Sequence, residues 1–276
     1  MTTARAFAPA KINLTLHVIG QRADGYHLLD SLVVFSDIGD RISVAPLDRL
    51  RLQVVGPMAA GVPDGDDNLV LRAARLIGVT GADITLEKHL PMAAGIGGGS
   101  SDAAAVLRAL AQSHGVAVAN HVLSLGADLP VCMAAKTVRM SGIGEDIVAV
   151  DTVPALSAVL VNPGVAINTP DVFGALERRD GAAMAEIPAF VDVPDCVDWL
   201  RLQRNDMQPA AIGLMPVIGN VLAALEQSGA LFARMSGSGA TCFGLYASEA
   251  AARIAAKALS AEQTGWWVQP TVLAAN

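Results

Sequence analysis

The chain has 276 residues, of which 53% are hydrophobic but only 4% aromatic, so alanine-rich cores of one large or two medium domains are well within reach. A formal net charge of −7 and a pI near 5.1 argue against capture of nucleic acid or of an anionic membrane, leaving small molecules as the expected partners. Three scattered cysteines (Cys132, Cys196, Cys242) offer no disulfide framework, and five histidines form no metal-binding cluster.

In chain order, the first stretch is MTTARAFAPAKINLTLHV, where Lys11 and Asn13 interrupt any apolar run of the kind a signal peptide needs, so a cytoplasmic protein is expected. Within it, Ile12, Leu14, Leu16 and Val18 alternate with Lys11, Asn13, Thr15 and His17, the period of a strand with one buried face. The turn RADGYH follows, centred on Asp24 and Gly25, and then SLVVF, RISVA and LRLQVV read as further strands. Asp67 or Asn68 can cap a helix through LVLRAARLIG, and DITLEKHL reads as a strand. It leads into LPMAAGIGGGSSDAAAVLRAL, which ends as a helix; a second helical stretch is expected near His121 to Leu125, followed by the loop GADLP.

TVRMSGIGEDIVAV reads as a hairpin around Gly142 and Gly144, and a boundary is expected near Asp151 to Pro154, separating domains at 1–152 and 153–276. LSAVLVNPG is a strand and turn. NTPDVF offers Thr169 as cap and Pro170 at the first helical position. The uncharged run Met207 to Leu225 contains Pro209, Gly213, Pro216 and Gly219, and reads as a buried helix with a preceding loop rather than a membrane span. PVIGNVLAALEQSG is a helix, LFARMS and TCFGLYA are strands, SEAAARIAAKALSA is a helix and WWVQPTVL a final strand.

The chemistry concentrates in the glycine stretch. Gly95, Gly97, Gly98 and Gly99 let backbone N–H groups approach a ligand, and Ser100, Ser101 and Asp102 open a helix whose positive end points at the same place, the makings of a phosphate site. A flexible connector with a serine cap is the plain alternative. A dinucleotide fingerprint would need an acidic residue ending a following strand about 20 positions on, and here the downstream chain is helical. A Walker loop would need a lysine where Gly99 stands.

Three glycines and two serines behind LP resemble the second motif of the GHMP kinases; PAKINLTLHV (Pro9 to Val18) is similar to their first motif and ARMSGSGATCFGLY (Ala233 to Tyr246) to their third. The further elements RADGYH, DNLV and GADLP resemble the branch of that family that phosphorylates cytidine diphosphate methylerythritol at a tertiary hydroxyl, in the non-mevalonate route to isoprenoid precursors. The resemblance implies a two-domain α+β architecture, an N-terminal domain like the second domain of ribosomal protein S5 and a ferredoxin-like C-terminal domain, with ATP and Mg²⁺ as cofactors.

By the same resemblance Asp128 is the catalytic base and Lys11 its partner. Pro91, Met92, Ala93, Ala94, Gly95, Ile96, Gly97, Gly98, Gly99, Ser100 and Ser101 form the ATP phosphate loop, while Asn68 and Lys88 border adenine and ribose. Asn68 as a helix cap and Lys88 as a solvated strand end stand as open alternatives. Asn13, Tyr26, His27, Thr169, Phe173, Asn205, Gly237 and Gly239 are assigned to the substrate, with Tyr26 and Phe173 stacking on the two faces of cytosine and His27 bonding its edge. Core packing competes for Phe173. Asn205 touches either the substrate or the SGSGAT loop, and Asp102 is left without a role because its charge would repel phosphate unless turned outward or metal-bound. The Mg²⁺ ligands are not assigned.

Overall fold

The computed structural model describes residues 3–115, 118 and 122–275. Its elements in order are β1 (Ala4–Asn13), β2 (His17–Gln21), β3 (His27–Ala45), β4 (Leu50–Val55), α1 (Leu69–Leu76), β5 (Ala82–Glu87), α2 (Gly98–His114), a 3₁₀ turn (Val122–Leu125), α3 (Leu129–Ala134), β6 (Val138–Gly142), β7 (Asp146–Ala149), β8 (Leu156–Asn162), α4 (Thr169–Gly174), α5 (Val193–Arg201), α6 (Met207–Leu214), α7 (Val217–Gln227), β9 (Phe232–Met235), β10 (Cys242–Leu245), α8 (Glu249–Glu262) and β11 (Trp267–Leu273). They pack as two compact units, one of residues 1–11, 38–92 and 97–135, the other of residues 12–37, 93–96 and 136–276. β1 and β3 each contribute to both units.

In the first unit, β4 runs parallel to β5, with α1 in the crossover between them, and β5 pairs antiparallel with Arg41–Ala45 of β3. The alternation in β5, with Ala82, Ile84 and Leu86 buried, gives one face to the core, as period 2 requires. Helix α1 starts where the sequence places it, because Asn68 Oδ1 accepts from the Val70 N–H at 2.8 Å. Helix α2 is buried on almost every side through Leu110; its alanines Ala103, Ala104 and Ala105 leave room for the backbone to approach α1 and α3. Gly115 closes α2 in the left-handed conformation.

In the second unit, Leu29–Val33 of β3 pairs with β6, and β6 with β7, the expected hairpin. β11, β8, β10 and β9 form an antiparallel run, and α7 and α8 pack against it. Its core joins Val159, Val161, Ile218, Val221, Leu225 and Leu259.

Several details differ from expectation. SLVVF and RISVA are one 19-residue strand, since no glycine or proline turn separates them apart from Gly39, which sits against the Ala8 backbone. The first strand breaks after Asn13, and Lys11, Asn13, Thr15 and His17 are as buried as the apolar positions between them. The loop GADLP turns into α3. Asn168, not Thr169, stands at the N-cap position of α4, without a side-chain capping bond, and the Thr169 hydroxyl turns to Ser238. The run Met207 to Leu225 is two helices bent by 115°, and among the described residues no single helix is long and apolar enough to cross a membrane. The stretch expected to be helical near His121 begins outside the described residues; Val122–Leu125 is a 3₁₀ turn.

Candidate active site

Helix α2 begins at Gly98, and its N-cap, Gly97, is left-handed with φ +65° and has no side-chain cap. The first intrahelical bond is Ser101 N–H to Gly97 O at 2.8 Å, which leaves the N–H groups of Gly98, Gly99 and Ser100 as the unclaimed donors of the first turn. A Cβ on Gly97 would meet Lys11 Cβ at 3.1 Å, so the lysine stem lies directly against this turn. Lys11 Nζ is 2.8 Å from Asp128 Oδ2; the lysine side chain is 4% exposed and the aspartate 35%. Asp128 is the N-cap of α3 but makes no capping hydrogen bond, which leaves its carboxylate to the ammonium.

Of the paired serines, only Ser100 is partly open. Ser101 is fully buried, and its hydroxyl donates to Pro9 O at 2.7 Å, tying α2 to β1 instead of facing a ligand. Asn68 is a working cap, its amide also donating to Pro63 O at 2.5 Å. Lys88 is buried, with Nζ bonded to Asp40 Oδ2 and, at 2.9 Å, to Asp102 Oδ2. Burial disfavours the Lys88 charge, but Asp102 and Asp40 outweigh it and raise its pKa. Burial, aided by Asp40, pushes the Asp102 carboxyl well above the usual carboxylate range even though Lys88 opposes it. The bond to Lys88 and the burial of the side chain show that Asp102 is turned inward.

The second unit holds the other glycine motif. A Cβ on Gly95 would lie 2.6 Å from both Gly239 O and Ser236 O, and one on Gly237 would lie 2.8 Å from Gly95 O. Residues 93–96 and SGSGAT thus pack backbone to backbone, held by Thr241 N–H to Ala94 O at 3.1 Å and Ser236 Oγ to Gly95 O at 3.0 Å. Asn205 belongs to this loop: its amide donates to Met235 O and Gly237 O, and its Oδ1 accepts from the Met207 N–H. The Asn13 backbone N–H donates to Ser236 Oγ at 3.1 Å and its Nδ2 to Ser31 Oγ at 2.8 Å, while its buried Oδ1 has no protein partner.

Also in this unit, the His27 and Phe173 rings stack with centroids 4.4 Å apart and planes 8° from parallel. His27 Nε2 is buried without a protein partner, and burial followed by the Arg179 charge lowers its pKa, so the ring is a neutral one with an unsatisfied edge. Tyr26 stands 58% exposed beside it in sequence, and the Thr169 hydroxyl lies 2.8 Å from Ser238 Oγ.

Sequence reasoning missed Asp40, Ser31, Ser236 and Ser238. Asp40 lies in an unremarkable IGDR stretch, and serines in strands and loops carry no signal until their partners are known. Asp102 was legible as an anomaly, an acid at a phosphate-binding turn.

Among known families, residues 68–149 match the GHMP kinases N terminal domain and residues 195–264 the GHMP kinases C terminal model. A 4-diphosphocytidyl-2-C-methyl-D-erythritol kinase of Dinoroseobacter shibae is 57% identical over 97% of this chain and 94% of its own, and one of Cereibacter sphaeroides is 57% identical over 96% and 97%. A crystal structure of 4-(cytidine 5'-diphospho)-2C-methyl-D-erythritol kinase superposes with a TM-score of 0.81 at 32% identity, covering 99% of this chain and all of that one. A homoserine kinase from Cytophaga hutchinsonii, at 18% identity and TM-score 0.64, shares the fold.

Proposed function

The chain belongs to the 4-diphosphocytidyl-2-C-methyl-D-erythritol kinase family of the GHMP kinases, and from that membership we propose that it transfers the γ-phosphoryl group of MgATP to the 2-hydroxyl of 4-diphosphocytidyl-2-C-methyl-D-erythritol. The observation that carries the mechanism is the Lys11–Asp128 pair beside the uncapped turn of α2. Phosphoryl transfer asks the protein for alignment and for positive charge around the moving group. Asp128 accepts the proton of the acceptor hydroxyl as its oxygen bonds to the γ-phosphorus and the bond to the ADP oxygen breaks. The Lys11 ammonium pairs with the Asp128 carboxylate at 2.8 Å and faces the charge that develops on the phosphoryl oxygens.

The N–H groups of Gly98, Gly99 and Ser100 and the positive end of α2 take the ATP phosphates, with the Ser100 hydroxyl available to them. Among the described residues no three His, Cys, Asp or Glu side chains converge to hold a metal, so Mg²⁺ is read as entering with the nucleotide, where it neutralises phosphate charge. Residues 1–152 carry the ATP and catalytic machinery on this reading, and residues 153–276 contribute Thr169, Phe173, Asn205, Gly237 and Gly239 to the acceptor side. Two orphaned buried atoms support the acceptor assignment. His27 Nε2 is a partner for the cytosine edge and Asn13 Oδ1 for a substrate hydroxyl, each now lacking the hydrogen bond that burial demands.

The stacked His27 and Phe173 rings modify the expected slot. The His27 ring lies on a face of Phe173, where cytosine is expected between Tyr26 and Phe173, so the base is read as stacking on the exposed Tyr26 ring. The test is ADP release with MgATP and, in turn, the cytidylated substrate, mevalonate, homoserine or no acceptor. Release confined to the cytidylated substrate supports the proposal; release with another acceptor retains the phosphate chemistry and removes the cytosine assignment.

A further inference from the structure

We propose that Asp40, Lys88 and Asp102 form a buried positioning brace that sets the first turn of α2, and through it the backbone donors that hold the phosphates of ATP. This rests on the kinase reading above, and it replaces the expectation that Lys88 touches the nucleotide. Asp40 Oδ1 accepts from the backbone N–H groups of His89 and Leu90, at 2.5 and 2.8 Å, and so fixes the end of the segment that leads from β5 into the glycine stretch. Its other oxygen holds Lys88, whose ammonium also reaches Asp102, the fifth residue of α2. All three side chains are buried, at 4% exposure or less.

The brace reaches the ligand-facing backbone through Gly98. A Cβ there would lie 3.6 Å from Lys88 Nζ, so the ammonium sits immediately under the first residue of the helix. Ser101, between the two, is locked to Pro9 O. A lysine shared between two buried carboxylates is a poor source of stability, since apolar residues of the same volume serve as well or better. What such a cluster does supply is one fixed geometry, because a lysine hydrogen-bonded to two buried carboxyl groups cannot drift without leaving one unpaired. Asp102 Oδ1, buried with no protein partner, shows that this carboxylate is held for the Lys88 contact and not for full satisfaction of its own oxygens. The arrangement also answers how an acid can stand in a phosphate-binding turn: it points inward onto a cation.

The experiment compares Asp102→Ala and Asp102→Asn with the unaltered protein, using steady-state ADP release with ATP and acceptor varied separately, and amide hydrogen exchange across residues 97–104. If Asp102 positions the turn, Asp102→Ala raises the ATP KM at least tenfold, leaves the acceptor KM within twofold and speeds exchange in that segment. Asp102→Asn, whose amide oxygen still accepts from Lys88, stays within threefold of the unaltered ATP KM. Direct contact of Lys88 with nucleotide predicts the reverse, because removing Asp102 frees the ammonium and the ATP KM holds or falls; a folded Asp102→Ala behaving so overturns the proposal. Should Asp102→Ala fail to fold, a tenfold loss of ATP affinity in Asp102→Asn with unchanged exchange overturns it as well. If the unaltered protein releases no ADP with any acceptor, the kinase reading falls, and exchange in residues 97–104 with ATP alone still tests the brace: equal protection by ATP in the unaltered protein and Asp102→Ala overturns it, and protection lost only in Asp102→Ala supports it.

Discussion

Asp128→Asn is the most informative single substitution. The amide keeps the shape of the carboxylate and an oxygen for Lys11, but it cannot take a proton from the acceptor hydroxyl. General-base catalysis is worth about 10²–10⁴ in rate, so kcat should fall by that factor, equivalent to about 3–5 kcal/mol of barrier. The structural effect is smaller. At 2.8 Å the two charges attract by about 6 kcal/mol gross at an effective dielectric near 20. Asp128 is 35% exposed, so solvent screening and the retained hydrogen bond reduce the net loss to about 1–2 kcal/mol. In a chain of this size that lowers Tm by roughly 2–8 °C, leaving the variant folded at 25 °C. ADP release with saturating acceptor, alongside ATP titration and a thermal melt, separates the effects: kcat down at least a hundredfold, ATP KM within threefold, Tm only modestly lower. A folded Asp128→Asn with kcat within tenfold of the unaltered protein would refute the assignment of the base.

Three further outcomes test other parts of the molecule. Tyr26→Ala removes an exposed ring whose stacking on a base is worth about 1–3 kcal/mol, so the acceptor KM should rise about 5–150-fold while Tm and the ATP KM hold; an effect on ATP alone contradicts the cytosine role. Gly95→Ala places a Cβ at φ +72° and 2.6 Å from two carbonyl oxygens, a combined cost of about 2–5 kcal/mol; a melt within 2 °C of the unaltered protein would show that the two glycine loops do not pack as described. His17 is buried and neutral, with Nε2 accepting the Arg204 N–H at 3.1 Å and Nδ1 facing Ala182 O. Burial, with a smaller push from Arg204, lowers its pKa against the opposing Ala182 bond and the charges of Asp206 and Asp30. The unfolded chain therefore takes up the proton first, and stability present above about pH 6.5 is lost as pH falls below it. Thermal melts from pH 7.5 to 5.5 should slope downward, less steeply in His17→Gln; an unchanged slope sinks the argument.

The strand and helix order was readable because it rests on local signals: the alternation of Ala82, Ile84 and Leu86, the Asn68 cap, the glycines of the hairpin. The pairing of Lys11 with Asp128 was readable only through motif resemblance, since the 116 residues of intervening chain carry no spacing rule that joins them. Helices α5 and α6 escaped because α5 is short and carries Pro194 in its first turn and α6 carries Pro209 and Gly213, which weaken a local helix signal, while Cys196, Val197, Leu200, Met207 and Ala211 bury their inner faces all the same. The burial of Lys88 escaped for a different reason. A lysine ending an alternating strand looks solvated, and only the distant Asp102 and Asp40 make its burial tolerable.

The alternation around Lys11 carries the more general lesson. A strand with one apolar and one polar face is ordinarily read as half solvated, and that reading fails from Lys11 to His17, where the polar face is as dry as the other. Polar groups can be held dry only if each finds a partner: Lys11 has Asp128, Thr15 donates to Met184 Sδ and accepts from the Leu32 N–H, and His17 has Ala182 and Arg204. Asn13 alone keeps an unsatisfied acceptor, Oδ1, two residues from the lysine that faces the base. A buried polar strand face in which every group but one is paired marks the unpaired group as facing something the chain itself does not supply, and here that group lies where the acceptor hydroxyls are proposed to bind.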